Sequence, residues 1–404
     1  MLDGLFAHPA GDSDTETGRE LIAAYDATIE FFRSLLGAAS RQPIRMKVLY
    51  LTDPDLDYLA DQIYDGLCAV LGWQNVFDFP QKAAYHEPGA RLDHLAQNPG
   101  HPYGVEDLAG MIGERQVDLA ILSSPRRGTV NACRALAARV ELPPLVLLDG
   151  EDDSRIRAEL FRSVGAALYF KREMPIGDGG YGDAWFKSGG RSDSTDLAGR
   201  TYPLPFSVTG ASLVPAPIVS RDIDISFVGR ASHRKRVKAV RLLREATDLR
   251  FEGGLYVNAS DRSSKVAESW FGVMAAKLMG DPPARGSIQQ MPPDDYRAVL
   301  RRSKMALSIR GGGFDTVRYW EIVASKTPLI SEPPDIVIPH NFEHGVHAIF
   351  CRPDLEDLAG WVRRLRADEP ERQRMAEAAY THLLAFHTTE RRATYLLDLC
   401  RRSL

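Results

Sequence analysis

Three consecutive glycines, Gly311, Gly312 and Gly313, stand between an apolar run and a charged, aromatic one. Before them, Asp294–Arg302 has helical spacing and Met305–Ile309 reads as a strand; after them, Asp315 and Thr316 mark a helix start and Pro328–Ser331 is a second short strand. A parallel strand that ends in glycine and opens a helix leaves backbone N–H groups unpaired at the carboxyl edge of the sheet, where an anion is held at low cost. Arg310 and Arg318 bracket the glycines with positive charge, and Glu321 lies further along the same helix. A ligand with both a phosphate and a hydroxyl-bearing sugar suits this set, which comprises Arg310, Gly311–Gly313, Phe314, Asp315, Thr316, Arg318 and Glu321.

A second basic cluster closes an earlier strand, in Phe227-Val-Gly229-Arg230-Ala-Ser-His-Arg-Lys235-Arg236. Gly229 allows a sharp turn between strand and helix. Cations at a helix N-terminus oppose its dipole, so Arg230, Lys235 and Arg236 call for a compensating anion. Acidic residues gather instead in the first half of the chain. Asp57 ends the string Asp-Pro-Asp-Leu-Asp, and Asp152 and Asp153 close the run Asp149-Gly-Glu-Asp-Asp. Each group follows a strand, so each faces the same sheet edge, where a carboxylate can take a proton from an acceptor hydroxyl. Helix capping is the plainer role for both groups. The overlapping Asp-x-Asp triplets and the His340, His344 and His347 spacing raise a metal site, but capping explains the first and a Pro/Gly loop the second, so no metal is expected.

Arg318, Glu321, Ala324, Pro328, Leu329 and Ile330 form the phrase R-x-x-E-x-x-A-x-x-x-P-L-I, which resembles the donor site of GT-B glycosyltransferases of the "glycosyl transferases group 1" set, CgeB-like proteins among them. The resemblance covers most of 222–385 and, more faintly, 45–205. It implies that Glu321 accepts the ribose hydroxyls of a nucleotide sugar, and that Arg230 and Lys235, in a G-R-x-x-x-x-K order, clasp its diphosphate. The retaining members carry another glutamate eight residues before the first, where this chain has Gly313; Asp315 is one candidate to replace it, and the stereochemistry stays open. The implied activity is metal-independent transfer of a sugar from a nucleoside diphosphate to a hydroxyl of a carbohydrate, protein or small-molecule acceptor, with the nucleotide sugar as co-substrate and no other cofactor. A nucleotide-sugar epimerase of the same fold and a non-catalytic glycan- or partner-binding module are the rival readings.

These residues must be positioned by an α/β chain of two Rossmann-like domains facing a cleft. Strand and helix patterns alternate through 45–205, expected to be the acceptor domain, with strands at Met46–Leu51, Asn75–Phe79, Val117–Leu122, Pro144–Leu148 and finally Ala167–Phe170. Helices are expected at Asp57–Leu71, Val105–Glu114, Asn131–Val140 and Ser154–Val164. A proline-punctuated linker, 206–221, leads to a nucleotide-sugar domain at 222–388, and 389–404 reads as a helix crossing back. Residues 1–44 form a tail and an amphipathic helix that packs either on the first domain or on a second copy of the chain, which leaves a homodimer open. The literal G-x-G-x-x-G at 177–182 lacks a following helix and reads as a loop.

The 404 residues suit two or three domains. Fifty basic against 54 acidic residues leave a net charge of −4, which excludes nucleic acid as the main partner. Four scattered cysteines without CxxC spacing fit reduced thiols in a cytoplasmic protein. No leader pattern and no run near the ~18 apolar residues of a membrane span is present.

Overall fold

The computed structural model describes residues 44–87, 95–101, 103–176, 197, 199–213, 220–256 and 288–404. The amphipathic helix expected within 1–44, the segment 263–278, whose sequence has helical spacing, and the glycine-rich stretch 177–182 lie outside these residues. A six-stranded parallel sheet has the order β2-β1-β3-β4-β5-β6, built from β1 (Val48–Leu51), β2 (Val76–Phe79), β3 (Leu119–Leu122), β4 (Leu145–Asp149), β5 (Leu168–Lys171) and β6 (Thr201–Pro203). A five-stranded parallel sheet has the order β11-β10-β9-β7-β8, from β7 (Ile225–Arg230), β8 (Phe251–Tyr256), β9 (Ala306–Ser308), β10 (Leu329–Ser331) and β11 (Ala348–Phe350).

Parallel sheets are covered on both faces, so their strands bury successive residues in different cores. Val48 and Tyr50 of β1 enter one apolar cluster, Leu49 and Leu51 another. Likewise Leu329 of β10 joins the first cluster and Ile330 a third that lies against α6 (Arg234–Glu245), which follows α1 (Tyr58–Leu71), α2 (Ala83–His86), α3 (Val105–Gly113), α4 (Arg127–Ala137) and α5 (Ala158–Ser163) of the first half. The first cluster runs through both halves, carrying Tyr50, Phe206, Trp320 and Leu396 together. It ends on the last helix, Thr389–Ser403, which packs along α1 (Tyr58–Leu71). The approach is close enough that a Cβ on Gly66 would lie 2.1 Å from the Thr389 carbonyl oxygen, and Thr389 Oγ1 donates to Asp65 at 2.7 Å.

Several boundaries differ from the sequence reading for local reasons. The strand at 168–171 is not the last of its sheet, because β6 adds an edge where Pro203 can end the ladder without a missing donor being felt. The helix expected from Asn131 begins at Arg127, drawn forward by Thr129, whose hydroxyl donates to Asp53 at 2.9 Å. The helix expected over Ser154–Val164 is only Ala158–Ser163, because Asp153 holds a turn instead, accepting from Arg155 N at 3.0 Å and pairing with Arg157 at 2.8 Å. Among the described residues no helix is long and apolar enough to cross a membrane.

Candidate functional site

The carboxyl edge of the second sheet carries the cations. Gly229, near the end of β7, leaves room for Arg318, whose Nη2 would lie 3.2 Å from a Cβ there; the guanidinium sits 5.1 Å from the Phe227 ring. Arg318 Nε and the Tyr296 hydroxyl are buried and satisfy no strict hydrogen-bond geometry, although the Arg318 guanidinium and the Tyr296 hydroxyl lie close enough to interact with each other. Arg236 is buried too: its Nε donates to the carbonyls of Ile309 (3.1 Å) and Arg310 (2.9 Å), and its Nη1 to Arg230 (2.9 Å). Burial and the neighbouring Arg318 push the Arg236 guanidinium down to about 9. Arg236 and Arg318 disfavour each other's charge here, with Asp152, Glu332 and Glu321 as the nearby countercharge, an arrangement that can seat an anion. Arg230 ends the strand, exposed.

Glu321 borders this seat on α8 (Val317–Ala324; α7 is Pro293–Arg302). Burial pushes its carboxyl up, against the pull of Arg318 and Arg297. From the first half, Tyr58 at the start of α1 is 45% exposed, and after its own burial the charge of Glu321 is the main influence raising its phenol. Tyr58 of the first half is therefore within electrostatic reach of Glu321.

The other expected donor residues are engaged differently. Lys235 pairs with Glu332 at 2.5 Å, and the second oxygen of Glu332 accepts from Arg310 N at 2.8 Å. Lys235 is therefore already neutralised. Glu332 ends the run Pro-Leu-Ile-Ser-Glu, right after β10; its place at the same sheet edge was the signal that the sequence reading passed over, as it passed over Tyr296. Arg310 is buried, 4.0 Å from the Phe314 ring, and donates to Gly312 O at 3.2 Å.

Around the glycine turn several amides are engaged by the chain itself: Phe314 N and Asp315 N both donate to Glu173, each at 2.9 Å, and Gly311 N donates to Gly313 O. The three glycines make room for side chains. A Cβ on Gly311 would meet Arg236 Nη2 at 2.9 Å, on Gly312 Asp152 Oδ2 at 2.6 Å, and on Gly313 Glu173 Oε1 at 2.3 Å. Asp315 does not face a ligand; it is buried, accepting from Phe206 N at 2.6 Å and Trp320 Nε1 at 2.8 Å. Thr316 is the N-cap residue of α8, its hydroxyl 3.1 Å from Ser308 Oγ.

Of the three acids expected to do proton chemistry, two are committed. Burial alone would raise the Asp153 carboxyl, but Lys171 and Arg157 outweigh it and hold it low, which makes a poor base. Asp152 pairs with Arg172 beside Gly312. Asp57 is the N-cap of α1, accepting from Ala60 N at 3.2 Å; its Oδ2 is buried without a hydrogen bond, 3.5 Å from Arg126. Burial pushes its carboxyl up, against the pull of Arg126. That combination suits a proton acceptor. Asp53 turns away, to Asp55 N and Thr129. Among the described residues no group of three or more His, Cys, Asp or Glu side chains could hold a metal. His340 and His347 join His382 and His387 rather than His344, which stands edge-on to Trp361.

Residues 264–398 match the family model described as glycosyl transferase-like. No curated protein matches the chain. Among solved structures, HepE from Anabaena in complex with UDP and glucose is similar at 13% identity, with 88% of this chain and 100% of that one covered and a TM-score of 0.55. A glycosyltransferase from Rickettsia africae is similar at 10% identity, 89% and 98% coverage and a TM-score of 0.57. Sucrose-phosphate synthase from Thermosynechococcus elongatus gives 13%, 89% and 99%, with a TM-score of 0.53. The chain has the two-sheet GT-B fold of these glycosyltransferases.

Proposed function

We propose that this chain transfers a sugar from a nucleoside diphosphate sugar to an acceptor hydroxyl without a divalent metal. The observation that carries the reading is the buried Arg236 with the half-buried Arg318 close enough to lower it, and Glu321 within reach of Arg318. Negative charge grows on the leaving diphosphate as the glycosidic bond breaks, and fixed guanidinium groups stabilise it without reorganising. Glu321 accepts the ribose hydroxyls. Asp57, with Arg126 moved aside, takes the proton of the acceptor, which makes the transfer inverting. The glycosyl transferase-like match and the UDP-bound structure of HepE support this reading and make UDP-glucose the first donor to try.

The test is UDP release from UDP-glucose over a panel of hydroxyl acceptors, with a donor-only control. Acceptor-dependent release is expected. A rearranged sugar nucleotide from donor alone would make the chain an epimerase, and loss of UDP binding in EDTA would end the metal-free part.

A further inference from the structure

The loop after β4 puts three consecutive residues to three uses. At Gly150 a Cβ would lie 3.0 Å from Leu59 Cβ and 3.2 Å from Asp57 Oδ1, so a bare backbone lets the loop press on that carboxyl. Glu151 takes Arg126, whose Nε donates to Oε1 at 3.1 Å. Asp152 goes to Arg172. The loop is fixed from below. Glu151 N donates to Asp149 Oδ1 at 3.1 Å, and the fully buried Asp149 is gripped by Arg157, Lys171 and the Tyr169 hydroxyl. Glu151 is therefore presented from a rigid root.

Arg126 stands between two carboxylates and is hydrogen-bonded to one. Its Nη1 donates to Leu56 O at 2.8 Å and its Nε to Glu151, while Nη2 stops 3.5 Å from Asp57 Oδ2, an ion pair without a hydrogen bond. Charge alone would not choose this arrangement. Burial works against the Arg126 charge, and among the carboxylates that favour it the charge of Asp57 weighs more than those of Glu151 and Asp53. A guanidinium is a rigid planar fork, so bonds at Nε and Nη1 fix where Nη2 can reach. Exposure gives the order of approach: the Arg126 side chain is 37% exposed and that of Glu151 33%, against 7% for Asp57. An acceptor coming from solvent meets the Arg126–Glu151 pair first and the carboxyl behind it.

We propose that Glu151 is a positioning residue: by holding Arg126 it keeps the guanidinium from closing on Asp57 Oδ2, which stays open to the hydroxyl of an acceptor. The hold on Arg126 stands apart from sugar transfer; its catalytic meaning rests on Asp57 being the proton acceptor. The other titratable groups around Asp57 are Asp61 of α1 and Tyr50 of β1. Asp61 Oδ2 accepts from Asp57 N at 3.2 Å and its Oδ1 from Lys82 and Tyr85, each at 2.7 Å, while the Tyr50 hydroxyl donates to Ala60 O at 2.6 Å. These bonds involve neither Arg126 nor Glu151, so substitutions at those two leave them in place.

The test follows the Asp57 carboxyl directly, by carbon NMR of aspartate-labelled protein, with Asp57→Asn to assign the signal. Arg126 and Glu151 are partly exposed, so their variants should fold. Loss of the Glu151 charge would by itself make Asp57 titrate lower, whether or not Arg126 moved. Glu151→Gln removes that charge and keeps an oxygen for Nε; Glu151→Ala removes both. Asp57 should titrate lowest in Glu151→Ala, about one pH unit below the unaltered chain, with Glu151→Gln between them. In a chain already carrying Arg126→Ala, Glu151→Ala should move it far less. Equal titration in the two Glu151 variants overturns the proposal, and so does an effect of Glu151→Ala that is the same with and without Arg126. Turnover is the second readout: kcat in Glu151→Ala should fall on the order of tenfold, and removing Arg126 as well should restore part of it. A merely structural glutamate would not be rescued by a second deletion. The expected titrations with unchanged turnover would leave Glu151 as the holder of Arg126 and remove Asp57 as the proton acceptor.

Discussion

The two sheet edges that face each other are charged in opposite ways and balanced to different degrees. On the first sheet the carboxylates are answered: Asp149 and Asp153 by Arg157 and Lys171, Asp61 by Lys82, Asp152 by Arg172. Asp57 keeps one oxygen without a hydrogen bond. On the second sheet Lys235 is answered by Glu332, whereas burial and the charge of Arg318 lower Arg236 to about 9 against the pull of Asp152 and Glu332. The difference teaches where ligand charge is needed. A buried ion with its partner is structure, and a buried ion without one marks the place where something else has to supply the charge.

The largest effect should come from the exception on the first edge. Asp57→Asn keeps a capping oxygen but no base, so kcat should fall roughly a hundred- to ten-thousandfold with UDP affinity unchanged. A variant with full turnover would move the proton acceptor elsewhere. Next comes the unbalanced pair. Arg318→Ala and Glu321→Ala should each weaken UDP binding by about ten- to a hundredfold, the range of a lost charge-assisted contact. Melting temperatures should stay close to that of the unaltered chain. Falls in stability without specific loss of affinity would make these residues scaffold. Lys235→Ala sharpens the contrast, since its charge is already spent on Glu332; UDP affinity should change by no more than about threefold. A hundredfold loss would show that Glu332 releases the lysine to the ligand.

The smallest effect concerns acid stability and the histidine group beneath the last helix. Burial and the nearby His382 hold His347 down to about 4, and burial, His382 and Arg392 do the same for His340. The unfolded chain takes these protons first, near pH 6.5, so their contribution is fully present above about 6.5 and is lost as pH falls towards about 4. Melts across that window should show stability falling with acidity, less steeply in His347→Phe. An unaltered slope would place the acid sensitivity elsewhere.

Local patterning made much of this legible. The strand alternation, the α6 span and the last helix follow from periodicity, and Glu321 and Arg318 were found through one short phrase. The occupants of the glycine turn were not legible. Glu173 and Asp315 are 142 positions apart and Lys235 and Glu332 are 97 apart, and no spacing rule links such pairs. The triple glycine suggested a cradle for phosphate because close approach of the backbone is what glycine permits. It does permit close approach, but of Arg236, Asp152 and Glu173. A similar cause shortened the helix at Ala158, where ion pairs of Asp153 outbid helix propensity.

The contact between Thr389 and Asp65 spans 324 positions. During synthesis, α1 is made early and waits with its apolar side bare until residues 389–403 emerge and lie against it. The first half must therefore persist for most of the translation time with a surface ready to take up the wrong helix, and contacts so far apart in sequence form slowly. A chain stalled or cut before residue 389 would leave that same surface permanently open, and aggregation in the cell, more than lost chemistry, is what its fate would report.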